Sequence, residues 1–220
     1  MVDIVLITTF LLGLCVGSFA NVLIHRLPRG QQVASGRSAC PHCRTTIAWY
    51  DNVPLLSWVV LRGRCRHCGA RIAGRYPAVE LAVALTAAAT VARLGLTPVA
   101  LHTFLLLILL LIIAIIDASF FVIPHTLTTA GLVAGLALAP WAGPGLAWAV
   151  LGAVVGGGII LGVDRIYRLW RGRAGMGGGD VMLLAMIGAY LGPWGVLATL
   201  SLAAAVGLAA ALLRSGGRLD

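Results

Sequence analysis

Gly175-Met176-Gly177-Gly178-Gly179-Asp180 runs directly into the apolar segment Val181-Met182-Leu183-Leu184-Ala185-Met186-Ile187. A carboxylate therefore stands where an apolar run begins, behind three glycines that leave the backbone beside it uncovered. Ionisable groups at membrane depth are costly, so an aspartate so placed is a functional candidate by default. Asp117 stands at the end of another apolar run and is followed by Ile123-Pro124. The chain has only seven acidic residues, and two placed in this way imply an aspartyl active site in a membrane.

The composition fixes the class. Sixty per cent hydrophobic and ten per cent charged residues do not describe a soluble domain of 220 residues. Several apolar runs approach the roughly 20 residues that cross a bilayer. All 16 basic residues behind the net charge of +9 are arginines. A basic chain of this size can signal nucleic-acid binding, but here the arginines sit between apolar runs. They read as membrane-flanking charge, with lipid and not nucleic acid as the partner.

The expected architecture is an all-α polytopic membrane protein. Spans are expected at 4–23, 79–95, 98–116, 126–141, 146–163, 181–192 and 195–213. The first run carries Asp3 before it and His25, Arg26 and Arg29 after it. Those flanks fit an uncleaved span with its N-terminus outside, not a signal peptide. Cys15 within it reads as a small packing residue. With that orientation only Arg93 falls outside; the arginines of 24–78, of 164–180 and of the tail (Arg214, Arg218) fall on the cytoplasmic side. Asp117 and Asp180 then lie at the same, cytoplasmic, depth.

Residues 24–78 form the one sizeable polar segment, and they contain Cys40-Pro41-His42-Cys43 and Cys65-Arg66-His67-Cys68-Gly69. Two such CxxC knuckles supply four thiolates for a tetrahedral zinc ion, and a segment this small needs a staple to fold. The connection 44–64 lies just beyond the usual range for paired knuckles. Cytoplasmic placement argues against disulfides. Four closed ligands leave no open coordination position, so the metal reads as structural; His42 and His67 read as ordinary loop residues. Three regions follow: a first transmembrane helix (1–23), a zinc-binding cytoplasmic domain (24–78) and a membrane-embedded domain (79–220). Glu80, at the mouth of the second span, is expected to lie at the interface and snorkel or to pair with a loop arginine, and a structural ion pair is preferred to a catalytic role.

Taken together, these residues resemble the prepilin peptidases, type IV leader peptidases of the GxGD aspartyl class. The likeness runs through Gly17-Ser18-Phe19-Ala20-Asn21-Val22, His25-Arg26-Leu27-Pro28, both knuckles and the stretch 49–58 between them. It continues through Arg75-Tyr76-Pro77 with Glu80, Asp117 with Ile123-Pro124, and Gly177-Gly178-Gly179-Asp180. The resemblance implies removal of the basic leader from type IV prepilins or type II secretion pseudopilins at the cytoplasmic face of the inner membrane, with Asp117 and Asp180 catalytic. Many members also N-methylate the new N-terminus with S-adenosylmethionine. Two positions depart from the family pattern: Met182 stands where Lys is frequent, and His125 where Asp or Asn is common.

A carboxylate pair hydrolyses a peptide with one member ionised and one protonated. Asp180 at a helix N-terminus is expected to be the base and Asp117 at a helix C-terminus the acid. Gly177, Gly178 and Gly179 are expected to admit an extended substrate, whereas Gly156-Gly157-Gly158 reads as close helix packing. Asp164 reads as a loop ion pair, and His102 and His125 as interfacial residues. The carboxylates and glycines also fit a protease that cuts within the bilayer, a proton-coupled transporter or a zinc-stapled scaffold.

Overall fold

The computed structural model describes residues 2–33, 36–143, 145–173 and 175–214. Its described residues are mostly helical, with no strand beyond two isolated bridges, and they form two compact units that meet in sequence at Pro124 and His125. Five helices, Asp3–Arg29, Arg75–Leu94, Pro98–Phe120, Leu146–Arg171 and Gly178–Leu213, are long and apolar enough to cross a membrane. The chain is a membrane protein of all-α class.

In the first unit, helix α1 (Val2–Arg26) packs along α3 (Arg75–Leu94), with the cysteine-bearing loop and the short helix α2 (Leu56–Val60) between them in sequence. Glycine sets the closeness of the α1–α3 pair. A Cβ on Gly13 would lie 2.7 Å from Ala84 Cα, and one on Gly17 would lie 2.6 Å from Glu80 Cα. Gly13 and Gly17 are one helical turn apart, so a single face of α1 admits the backbone of α3, which is how membrane helices associate without a hydrophobic drive. Cys15 lies off that face and is exposed, so it is not the packing residue expected.

Helix α4 (Pro98–Phe120) begins where Thr97 caps it, its hydroxyl accepting the Ala100 N–H at 3.2 Å. Its buried residues include Ile108, Ile112, Ile113 and Ile116 on one stripe. His102, expected at an interface, is buried in the same helix. The helix stops where Phe121 turns left-handed (φ 55°) and donates its N–H to the Asp117 carbonyl at 2.8 Å. Asp117 is thus inside the last turn of α4.

The second unit holds α5 (His125–Ala142), α6 (Leu146–Arg171) and α7 (Gly178–Arg214). The α6–α7 contact is closer still. A Cβ on Gly152 would overlap the Gly188 carbonyl oxygen, one on Gly188 would overlap that of Gly152, and one on Gly156 would overlap that of Leu184. Of the expected packing run 156–158, Gly156 and Gly157 face α7 while Gly158 meets open space among the described residues. On α5, Gly135 lies under the Tyr190 ring, with its would-be Cβ 2.6 Å from Cε2.

The seven expected apolar runs all lie in helices, but two of them, 181–192 and 195–213, are parts of the single element α7. That helix bends at Gly192 (φ 71°, ψ −179°), just before Pro193; proline removes a helical hydrogen bond at that point. Helix α6 continues to Arg171, well past the expected end at 163, and stops where Gly172 turns left-handed and donates its N–H to the Arg168 carbonyl. Arg218, assigned to the cytoplasmic tail from sequence, lies outside the described residues.

Candidate active site and metal centre

The two knuckles are built alike. In the first, Cys40 donates its N–H to Thr45 and accepts from Arg44, which is left-handed at φ 58°. In the second, Cys65 donates to Ala70 and accepts from Gly69, left-handed at φ 70°. Each turn is closed by one antiparallel bridge, Ala39 with Thr46 and Arg64 with Arg71. The four sulfurs of Cys40, Cys43, Cys65 and Cys68 all lie within 4.8 Å of one another, with Cys40 and Cys68 at 3.9 Å. A tetrahedral thiolate site with metal–sulfur bonds of about 2.3 Å places its sulfurs about 3.8 Å apart, so a metal ion fits with little rearrangement. His42 and His67 are exposed and outside the cluster.

The thiols are also electrostatically unequal. Hydrogen bonds from the Thr45 side chain and backbone bring Cys43 down to about 6, and amides of Cys68 and His67 lower Cys65. The Ala70 amide works in the same direction at Cys68, yet burial and the neighbouring thiols push that group up to about 11. Sulfurs this close cannot all ionise cheaply without a cation among them.

Between the knuckles, Arg66 holds Asp51 in a two-pronged pair, Nε–Oδ2 2.7 Å and Nη2–Oδ1 2.6 Å, and lies over the Tyr50 ring. This pair draws the stretch 49–51 onto the second knuckle. Trp58 Nε1 donates to the Ile72 carbonyl at 3.2 Å, tying α2 to the same knuckle.

Glu80 is buried, and its partners differ from the arginine expected. Its Oε2 accepts the Leu55 N–H at 2.8 Å, and the Ser18 hydroxyl hydrogen-bonds it as well. Leu55 is the centre of a tight turn (φ 58°, ψ −52°) in which Leu56 N–H reaches back to the Pro54 carbonyl. Such a three-residue turn is strained for a leucine, and the carboxylate of Glu80 satisfies its amide. One turn along α1, Asn21 Nδ2 donates to the Tyr76 carbonyl at 3.0 Å. Ser18, Asn21, Leu55 and Glu80 therefore join α1, the loop and α3 at one place.

In the second unit, Asp180 occupies the first turn of α7. Its Oδ2 accepts the Gly177 N–H at 3.2 Å while its own N–H donates to the Gly177 carbonyl at 3.2 Å. This reciprocal arrangement satisfies a free amide at the helix start. His125, the first residue of α5, approaches the same turn: its Cε1 is 3.5 Å from where a Cβ on Gly178 would be.

Asp164 is not in a loop. It is buried in α6, its ion-pair partner is Arg168 (Nε–Oδ2 2.6 Å) and not the adjacent Arg165, and its Oδ1 accepts the N–H groups of Gly175 and Met176 at 2.9 and 3.1 Å. The four-residue spacing to Arg168 on a helix face was the one sequence signal for this arrangement. Asp117 and Asp180 belong to different compact units, Asp117 to the first and Asp180 to the second.

The class is a membrane chain with a carboxylate at a glycine-rich helix start and four cysteines placed so that they could hold a metal ion. Residues 11–94 match the Bacterial Peptidase A24 N-terminal domain, and residues 104–212 match the Type IV leader peptidase family. The chain belongs to the type IV leader peptidase family. It is 44% identical over 186 residues to a prepilin leader peptidase/N-methyltransferase of Myxococcus xanthus, covering 83% of this chain and 55% of that relative. A Burkholderia pseudomallei protein of the same description is 40% identical over 90% of this chain and 72% of its own length. For one from Klebsiella pneumoniae the identity is 44%, over 88% of both chains. No solved structure matches the chain.

Proposed function

We propose that the chain is a membrane aspartyl endopeptidase that removes the basic leader from type IV prepilins or type II secretion pseudopilins. The reading places it in the inner membrane with its N-terminus outside and both aspartates at the cytoplasmic face. The observation that carries it is Asp180 in a helix-starting turn behind Gly177, within a chain 44% identical to a named prepilin leader peptidase across 88% of both sequences.

In this reading Asp180 is the base. Gly177 N–H holds one carboxylate oxygen, leaving the other to draw a proton from water. Asp117 is the acid that hydrogen-bonds the scissile carbonyl and then protonates the leaving amine. Gly177, Gly178 and Gly179 admit the extended leader beside Asp180. Cys40, Cys43, Cys65 and Cys68 hold a structural zinc ion, which organises the loop domain 24–78 and leaves no coordination position for substrate.

The relatives' description as N-methyltransferases supports a second activity, methylation of the new N-terminus with S-adenosylmethionine as donor. The test is cleavage of a tagged type IV prepilin by the purified protein in lipid, beside Asp117→Asn and Asp180→Asn, with labelled S-adenosylmethionine in a parallel reaction. Leader loss with wild type and with neither variant is the expected result. Cleavage by either folded variant overturns the aspartyl mechanism; proton-coupled flux without cleavage would point to a transporter instead.

A further inference from the structure

Three consecutive amides lead into α7, and two carboxylates divide them. The N–H groups of Gly175 and Met176 point to Asp164 Oδ1 at 2.9 and 3.1 Å, and the next, that of Gly177, points to Asp180 Oδ2 at 3.2 Å. Asp164 is buried at 7% exposure. Its other oxygen is held by Arg168 at 2.6 Å, so the carboxylate cannot swing away from the loop without breaking an ion pair. Tyr167, one residue before Arg168, completes the seat: a Cβ on Gly175 would lie 2.5 Å from its Cδ1, so the loop backbone lies against the ring.

We propose that Asp164 is a positioning residue for Asp180. By fixing the Gly175 and Met176 amides it sets the orientation of the next peptide, and the Gly177 N–H then holds the Asp180 carboxylate in one rotamer. The inference rests on the reading of Asp180 as a catalytic base. Asp164 itself touches no reacting atom. A carboxylate is suited to this task because one oxygen can accept two amides while the other stays with Arg168; charge-assisted hydrogen bonds of this kind are the stronger ones. A small displacement of a catalytic group costs rate out of proportion to its size.

The test is prepilin cleavage by Asp164→Ala, Asp164→Glu and Asp164→Asn, with kcat and KM measured separately and Asp180→Asn beside them. Asp164→Ala removes the acceptor, and Asp164→Glu keeps the charge but moves it by a methylene. Both are expected to lower kcat by about 10- to 100-fold with KM little changed. Asp164→Asn keeps an oxygen for both amides but sets an NH2 group against Arg168 in place of the ion pair, so its kcat should fall between those of wild type and Asp164→Glu. If Asp164→Ala does not fold, the Glu and Asn variants decide alone. A folded Asp164→Ala or Asp164→Glu with wild-type kcat overturns the proposal, as does an Asn variant as slow as the Glu variant. An active Asp180→Asn would instead sink the underlying assignment of the base, so the two failures are told apart in one assay.

Discussion

Taking the metal away from the cysteine cluster should unfold the loop between α1 and α3 while leaving the membrane helices in place. Among the described residues from 36 to 74, only Cys40, Ser57 and Gly63 are buried. No large apolar side chain in that stretch is fully withdrawn from solvent, so the segment has almost no core of its own. Full burial of one large apolar side chain contributes about 1.5–3 kcal/mol. A structural zinc site contributes about 10–16 kcal/mol of apparent binding energy. A zinc ion held by the four thiolates would thus be the largest single stabilising term, beyond what the Asp51–Arg66 pair and the Glu80–Leu55 contact supply. The loop also reports on itself, because Arg37, Arg44, Arg62, Arg64, Arg66 and Arg71 are all exposed, and trypsin cuts after arginine once the backbone is free to enter its cleft. The assay is metal content by mass spectrometry together with a trypsin time course in detergent. It compares wild type before and after chelation with Cys65→Ser/Cys68→Ser. The expected result is about one metal ion per untreated chain, slow cutting of that protein, and rapid cutting confined to the loop in the other two. Equal resistance with and without metal would refute the reasoning, since the fold of the loop would then owe nothing to the four thiolates.

Two further outcomes follow from local geometry. Gly152→Ala drives a methyl group into the Gly188 carbonyl and should destabilise the α6–α7 pair by about 1–3 kcal/mol, whereas Gly158→Ala, which meets open space, should leave thermal unfolding in detergent near wild type. The hydrogen bonds and charge of Arg66 hold Asp51 below the usual carboxylate range, so its stabilising effect is complete above that range and is lost as pH falls through the lowered value. Asp51→Asn should therefore unfold at a slightly lower temperature than wild type from pH 5 to 8, with the difference closing well below pH 4 (about the ordinary aspartate value); a difference that persists in acid would show that charge is not its origin.

Apolar run length and charge placement made much of this chain legible. Runs such as 98–116 and 146–163 announce helices because bilayer thickness sets their length, and the knuckles announce a cluster of four thiols that could hold a metal ion. What could not be read was the partner of each buried carboxylate. Glu80 looked like half of an ion pair because loop arginines are plentiful, yet it caps a strained turn at Leu55. Asp164 looked like a loop residue because the hydropathy falls at Arg165, yet α6 runs on to Arg171. Arg168 could be read from its four-residue spacing to Asp164, but both carboxylates also accept backbone amides, and an amide carries no signature in the sequence. Only the path of the chain places it.

The glycines of the site illustrate the same point from the other side. Gly175 is required by contact, since any side chain there would strike Tyr167. Gly177 and Gly178 are not. A Cβ on Gly177 would meet Asp180 Oδ2 at 3.5 Å, and one on Gly178 would meet His125 Cε1 at 3.5 Å, both ordinary contacts. Neither is among the described glycines with positive φ, so the backbone conformation does not demand glycine either. Packing within the chain therefore accounts for the first glycine of the stretch and leaves the next two without an internal reason. The proposed function supplies one: a bare backbone at 177 and 178 would let an extended peptide lie close to Asp180, where a side chain would hold it away.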